Sequence, residues 1–292
     1  MLIFIERVGP LATVQDLGRQ GWFDSGVGQA GAADRGSLRL ANRLVGNPED
    51  FAAIEVLLGG LVLRADGHLT VAVTGAPAPA LIDGTPVGHA SVLELNEGQV
   101  LELGLATSGL RSYVAIRGGI DVAKVLGSRS RDTLSGIGPD PLVAGMQVAI
   151  GPPPRTLPTV EFAPVPLPPD VLEVRACPGP RADWFTDPGQ LFRGSWVVTA
   201  DTDRVGARLD RLDGPPLVRS IARELPSEGV ALGSVQVPPN GQPVVFLADH
   251  PITGGYPVIA VVLDADVDRV AQARPGERLK FVISAADSGA RA

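Results

Sequence analysis

Glycine and proline interrupt this sequence so often that little room is left for long helices. There are 36 glycines and 27 prolines in 292 residues, about a fifth of the chain, with no collagen-like period. Between them lie short runs rich in Val, Ile and Leu, which read as strands bounded by tight turns. Leu69-Thr70-Val71-Ala72-Val73-Thr74 is one such run, ended by Gly75-Ala76-Pro77. Residues 112–117 form another, closed by Gly118-Gly119, and 171–176, 194–200, 230–237, 243–248, 258–263 and 278–284 repeat the style. Two hairpins are expected, one over 80–87 around Asp83-Gly84 and one over 91–105 around Asn96-Glu97-Gly98. Helix signals are few. Residues 34–46 carry a capping Asp34 and place Leu38, Ala41, Leu44 and Val45 at helical spacing before Asn47-Pro48 ends the run. Residues 266–273 form a second candidate, stopped by Arg274-Pro275-Gly276, and 181–185 a single turn. The fold class is therefore mainly β with a few short helices, nearer a barrel or sandwich than an alternating βαβ order.

Residues 152–169 hold eight prolines in 18 positions. Such a stretch is extended and semi-rigid and does not suit a central strand. It divides the chain into an expected N-terminal β subdomain at 1–151, a linker at 152–169 and a C-terminal β subdomain at 170–292.

Charge and composition remove several functions. With 25 basic and 32 acidic residues the net charge is −7, which argues against nucleic-acid binding. Cys177 is the single cysteine, so no internal disulfide framework exists. A hydrophobic content of 45% excludes a disordered chain. No apolar run reaches the length of about 18 residues that spans a membrane. Met1-Leu2-Ile3-Phe4-Ile5-Glu6-Arg7 lacks the basic start and apolar core of a signal, so a soluble, cytoplasmic chain is expected. Lys124 and Lys280 are the only lysines beside 23 arginines, and neither stands in a Met-Lys-Met context. Covalent biotin on this chain is therefore not expected. His68, His89, His250 and Cys177 offer no pair at zinc-ligand spacing, so no metal site is expected.

Several loops carry chemistry-bearing side chains. Gly26-Val27-Gly28-Gln29-Ala30-Gly31 fits the dinucleotide pattern, but Arg19-Gln20-Gly21-Trp22-Phe23-Asp24-Ser25 before it does not read as the buried strand that pattern needs. There is neither a Walker A motif nor a Gly-x-Ser-x-Gly elbow. Gly127-Ser128-Arg129-Ser130-Arg131 offers hydroxyls and guanidinium forks to an anion, or is a solvated turn. Gln15-Asp16-Leu17-Gly18-Arg19 places an acid and a base around a glycine, which suits a loop ion pair or a grip on a carboxylate. Asp249-His250-Pro251-Ile252-Thr253-Gly254-Gly255-Tyr256 packs an acid, an imidazole, a hydroxyl, two glycines and a phenol into one loop. His250 alone among them titrates near neutrality.

Taken in order, these segments resemble the biotin-dependent carboxyltransferase family, also called allophanate hydrolase subunit 2 or KipA-like. Thr13-Val14-Gln15-Asp16-Leu17-Gly18-Arg19, Gly31-Ala32-Ala33-Asp34, Ile54-Glu55, Arg117-Gly118-Gly119-Ile120 and Leu126-Gly127-Ser128-Arg129-Ser130 carry the first half of the likeness. Asp203-Arg204-Val205-Gly206, Ser227-Glu228-Gly229, Gly233-Ser234-Val235-Gln236-Val237-Pro238 and Gly254-Gly255-Tyr256-Pro257 carry the second. Ala30 stands where the family usually has Ser, and Arg131 where it has Thr. The resemblance implies a cyclophilin-like β-barrel architecture in two β subdomains. It implies a role as one subunit of an ATP-dependent 5-oxoprolinase, with ATP as co-substrate at a site that a partner can share. The implied partners are a KipI-like (allophanate hydrolase subunit 1) protein and a LamB/YcsF-like subunit. Two further readings remain: a carboxyltransferase acting on urea or a related small amide with a separate biotin carrier, and a non-catalytic regulator that binds a KipI-type inhibitor. On this reading Asp249, His250 and Arg204 are catalytic. Gln15, Asp16, Arg19, Glu228, Gln236, Thr253, Gly254, Gly255 and Tyr256 bind substrate, and Ser128, Arg129 and Ser130 bind an anion.

Overall fold

The computed structural model describes residues 1–155, 157–166, 169–214 and 216–284. It divides into two compact units, Met1–Trp22 with Gln29–Leu167, and Phe23–Gly28 with Pro168–Ala292.

The first unit contains β1 (Leu2–Arg7), β2 (Leu11–Gln15), α1 (Arg35–Leu44), β3 (Ala53–Leu57), β4 (Val62–Asp66), β5 (Leu69–Gly75), β6 (Ala80–Ile82), β7 (Thr85–Val87), β8 (Val92–Leu95), β9 (Val100–Leu103), β10 (Arg111–Ile116) and β11 (Gln147–Ala149). The strands form two antiparallel sheets, ordered β11-β1-β4-β9-β6-β7 and β2-β3-β10-β5-β8. Ile3, Leu63 and Leu101 of the first sheet share one core with Val14, Ile54, Val71 and Val114 of the second. On its opposite face the five-stranded sheet presents Ala53, Ala72, Tyr113 and Ala115 to Leu38, Ala41 and Leu44 of α1. The alternation explains both layers: branched residues fill the sandwich, while alanines let the helix come close. Asp34 caps α1, accepting from the Ser37 backbone N–H at 2.9 Å and the Ser37 hydroxyl at 2.6 Å.

The Asp83-Gly84 hairpin forms as expected, with both residues at positive φ (47° and 79°), the conformation a two-residue turn of this kind requires. The second expected hairpin does not form. β8 pairs with β5 in one sheet, and β9 pairs with β4 and β6 in the other. The Asn96-Glu97-Gly98 turn therefore carries the chain across the sandwich. Leu93, Leu95, Leu101 and Leu103 still bury into one core, because side-chain alternation fixes the buried face of a strand without fixing its neighbour. In the proline-rich stretch, Phe162 bridges Ser91, and the Val92 N–H donates to the Glu161 carbonyl at 2.8 Å. This segment runs along the edge of the five-stranded sheet, where a chain short of N–H donors is tolerated.

The second unit contains β12 (Val171–Pro178), β13 (Trp196–Val198), β14 (Gly206–Arg211), β15 (Glu228–Gly229), β16 (Ser234–Gln236), β17 (Val244–Phe246), β18 (Thr253–Gly254), β19 (Val258–Val262), α2 (Asp264–Ala271) and β20 (Arg278–Ile283). Seven strands close into a barrel in the order β12-β19-β16-β17-β14-β13-β20, and β15 and β18 form a separate ribbon. β12 and β20 run parallel, and the other barrel pairs are antiparallel. The helix begins two residues before the expected start at Asp266. The Asp266 carboxylate takes hydrogen bonds from the Arg175 backbone N–H and guanidinium at 2.8–3.0 Å. Among the described residues no helix is long and apolar enough to cross a membrane.

Candidate functional site

In the first unit the chemistry gathers where β2 ends. Gln15 is fully buried, and its amide donates to the Thr13 hydroxyl and the Arg131 carbonyl, each at 3.0 Å. Asp16 follows. Its Oδ1 accepts from the Gly18 N–H at 2.8 Å and from the Ser128 and Ser130 hydroxyls at 2.6 Å each. Its Oδ2 accepts from the Arg129 N–H at 2.6 Å. The Asp16 N–H in turn donates to the Ser130 hydroxyl oxygen at 2.8 Å, and the Arg19 guanidinium donates to the Ser130 carbonyl. The serine hydroxyls that the sequence offers to an anion are thus buried and spent on Asp16. The Arg129 guanidinium donates to the Ile120 carbonyl at 3.1 Å and pairs with Asp121. A second loop joins the knot: the Arg19 N–H donates to the Gln29 carbonyl at 2.8 Å and the Ala32 N–H to the Asp16 carbonyl at 2.9 Å. The Gly-x-Gly-x-x-Gly run follows a short 3-10 turn, Phe23–Ser25, instead of a strand.

In the second unit Arg204, just before β14, grips Asp249 in a bidentate pair, Nε to Oδ2 at 2.8 Å and Nη2 to Oδ1 at 3.0 Å. Both side chains are buried, and the Asp249 N–H also donates to the Arg204 carbonyl at 3.0 Å. His250 stacks on Phe246 with ring centroids 5.9 Å apart. Its Nδ1 lies 2.7 Å from the Pro251 carbonyl, which only accepts, so Nδ1 carries a proton toward it. Thr253 and Gly254 pair with Gly229 and Glu228 across the ribbon. Arg181 holds Glu228 through both carboxylate oxygens and keeps that carboxyl below its usual pKa. The Gln236 amide donates to the Tyr256 carbonyl at 3.0 Å. A Cβ at Gly254 would lie 2.4 Å from the Gln236 amide nitrogen, so a side chain there would push the amide off Tyr256. Gly255 and Tyr256 are exposed.

Each unit therefore brings its own group of expected residues together: Gln15, Asp16, Arg19, Ser128, Arg129 and Ser130 in the first, and Arg204, Glu228, Gln236, Asp249, His250, Thr253, Gly254, Gly255 and Tyr256 in the second. Three participants were not singled out as site residues from the sequence. Arg181 and Phe246 sit beside Glu228 and His250, and neither has a local signature. Tyr113 lies under α1, where its hydroxyl donates to Glu55 at 2.8 Å and accepts from the Asp34 N–H at 2.7 Å. Among the described residues no group of three or more His, Cys, Asp or Glu side chains is placed to hold a metal ion.

A sequence model of the carboxyltransferase domain, subdomains A and B, matches residues 25–283. The chain belongs to this carboxyltransferase family. Among its relatives, a 5-oxoprolinase subunit of Escherichia coli (strain K12) is 39% identical over 286 residues, covering 96% of this chain and 91% of that protein. Urea amidolyase of Saccharomyces cerevisiae is 33% identical over 307 residues, covering 96% of this chain but 16% of the yeast protein. Among solved structures, the urea amidolyase of K. lactis matches this carboxyltransferase-family chain with a TM-score of 0.89 at 28% identity, over 97% of this chain and 18% of that one.

Proposed function

We propose that the chain is one subunit of an ATP-dependent 5-oxoprolinase, which opens the lactam of 5-oxo-L-proline to L-glutamate as ATP is hydrolysed to ADP and phosphate. The observation that carries this reading is the near end-to-end match to a 5-oxoprolinase subunit of Escherichia coli, against a match to only 16% of a urea amidolyase. A lactam is a poor electrophile, and phosphorylation of its oxygen by ATP activates it for attack by water. Such a step needs proton transfer and stabilisation of developing negative charge. Here His250 handles the proton, and the Arg204–Asp249 pair holds the His250 loop in place. Glu228, Gln236 and Tyr256 shape the adjoining ribbon to position substrate. Asp16, Ser128 and Ser130 lock the loop after β2.

The partners on this reading are a KipI-like and a LamB/YcsF-like subunit, and ATP binds within the assembly, since this chain has no Walker A motif. Tagging the chain in its native host and identifying co-purifying proteins by mass spectrometry tests the reading. Recovery of those two subunits supports it. A biotinylated carrier in their place supports carboxyl transfer to urea or a related amide, and recovery of an inhibitor-type partner with no activity in any mixture supports the regulator.

A further inference from the structure

A cavity of about 360 Å³ opens within the first unit, beside the Asp16 knot. That volume lies at the small end of ligand pockets and suits a molecule of amino-acid size. Five charged side chains line it: Asp16, Asp50, Asp121, Lys124 and Arg129. Three of them are spent. Asp16 accepts four hydrogen bonds, and Arg129 is committed to the Ile120 carbonyl and to Asp121. Lys124 and Asp50 are different. Both are exposed, and among the described residues their side chains make no hydrogen bond or ion pair, with each other or with anything else. Phe51 adds an aromatic surface to the same wall. The cavity lining thus includes one unspent ammonium, one unspent carboxylate and one aromatic residue.

We propose that this cavity binds a small molecule bearing both a carboxylate and an N–H group, with the carboxylate on Lys124 and the N–H on Asp50. A simple anion satisfies only the lysine, and a simple amide only the aspartate. 5-Oxo-L-proline carries both groups on one ring and has an apolar edge for Phe51. Naming it as the occupant rests on the oxoprolinase reading, whereas the class of ligand rests on the two charges; the cavity is then a further site for that molecule on the first unit, additional to the second-unit residues assigned to the reaction.

The lysine content makes the test direct. Lys124 and Lys280 are the only lysines, and Lys280 lies exposed on β20 in the second unit. Acylation of the purified full chain with an amine-reactive ester, read peptide by peptide by mass spectrometry, therefore reports on Lys124 with Lys280 as internal control. Millimolar 5-oxo-L-proline should slow acylation of Lys124 severalfold and leave Lys280 unchanged. 2-Pyrrolidinone, which lacks the carboxylate, and cyclopentanecarboxylate, which lacks the N–H, should protect far less. Asp50→Ala, which removes the acceptor, should abolish the protection by 5-oxo-L-proline with little change in melting temperature, since Asp50 is exposed and its side chain holds no partner. Unchanged acylation of Lys124 in the presence of 5-oxo-L-proline, or equal protection by either control compound, overturns the proposal. Turnover by the assembled subunits is measured separately: turnover without protection removes the cavity proposal alone, and protection without turnover removes the oxoprolinase reading alone.

Discussion

Asp16 and Asp249 are both buried, 7% and 2% exposed, and both fasten a loop that follows a strand. They are satisfied by different chemistry. Asp16 takes four hydrogen bonds from hydroxyls and backbone N–H groups, in a knot that also holds the buried Arg19 guanidinium on the Ser130 carbonyl. Asp249 faces a buried guanidinium through two bonds. Removing one hydroxyl from the Asp16 knot leaves the carboxylate three other donors. Removing a partner from the ion pair leaves a buried charge with its main counter-ion gone, which is the costlier defect. The first unit thus secures its loop by many small contributions, and the second by one large one.

This contrast predicts an order of losses. Asp249→Asn should destabilise the chain most, by about 3–5 kcal/mol, as for other broken buried pairs. Denaturant unfolding checks it, and the double change Asp249→Asn with Arg204→Met should recover part of the loss because the stranded charge is gone. Asp16→Ala should cost less, about 1.5–3 kcal/mol, the range for a hydrogen bond to a charged group. A larger loss for Asp16 than for Asp249 would break the comparison. Ser128→Ala removes one donor from the knot and should cost about 1 kcal/mol, while turnover per folded molecule in the assembled enzyme stays unchanged. A fall in turnover larger than the fall in folded fraction would move the serine from a structural role to a chemical one.

The smallest effect concerns pH. Burial, followed by the charges of Glu55 and Asp34, raises the Tyr113 phenol well above its ordinary pKa. The folded state therefore keeps a proton that the unfolded chain releases near pH 10. Its contribution to stability is complete below that pH and is lost as pH rises beyond it. Melting temperature should be flat with respect to this group up to about pH 10 and fall above it. Tyr113→Phe should flatten that slope while lowering stability at neutral pH.

Local features were legible in the sequence and distant ones were not. The Asp34 cap, the α1 periodicity and the Asp83-Gly84 turn depend on residues a few positions apart, and each forms where the sequence places it. The 91–105 hairpin failed because strand pairing is a choice among distant neighbours, which alternating Leu residues do not make. The second helix forms two residues earlier than its expected start at Asp266, and nothing near Asp266 in the sequence announces that Arg175, 91 residues away, takes its carboxylate. The motif around Ser128 was visible as polar and its purpose was not, since Asp16 lies 112 residues earlier in the chain. Lys124 stands out in the sequence only for its rarity. Its place with Asp50 and Phe51 in the lining of one cavity exists only in the folded unit.

The most direct measurement is an omit-one assay. The chain is mixed with its KipI-like and LamB/YcsF-like partners, 5-oxo-L-proline and ATP, and the release of L-glutamate and ADP is followed with each protein left out in turn. The account predicts turnover in the full mixture, its loss when this chain is omitted, and a fall of about 100-fold or more when His250→Ala replaces the native chain. Undiminished glutamate release without this chain would contradict it.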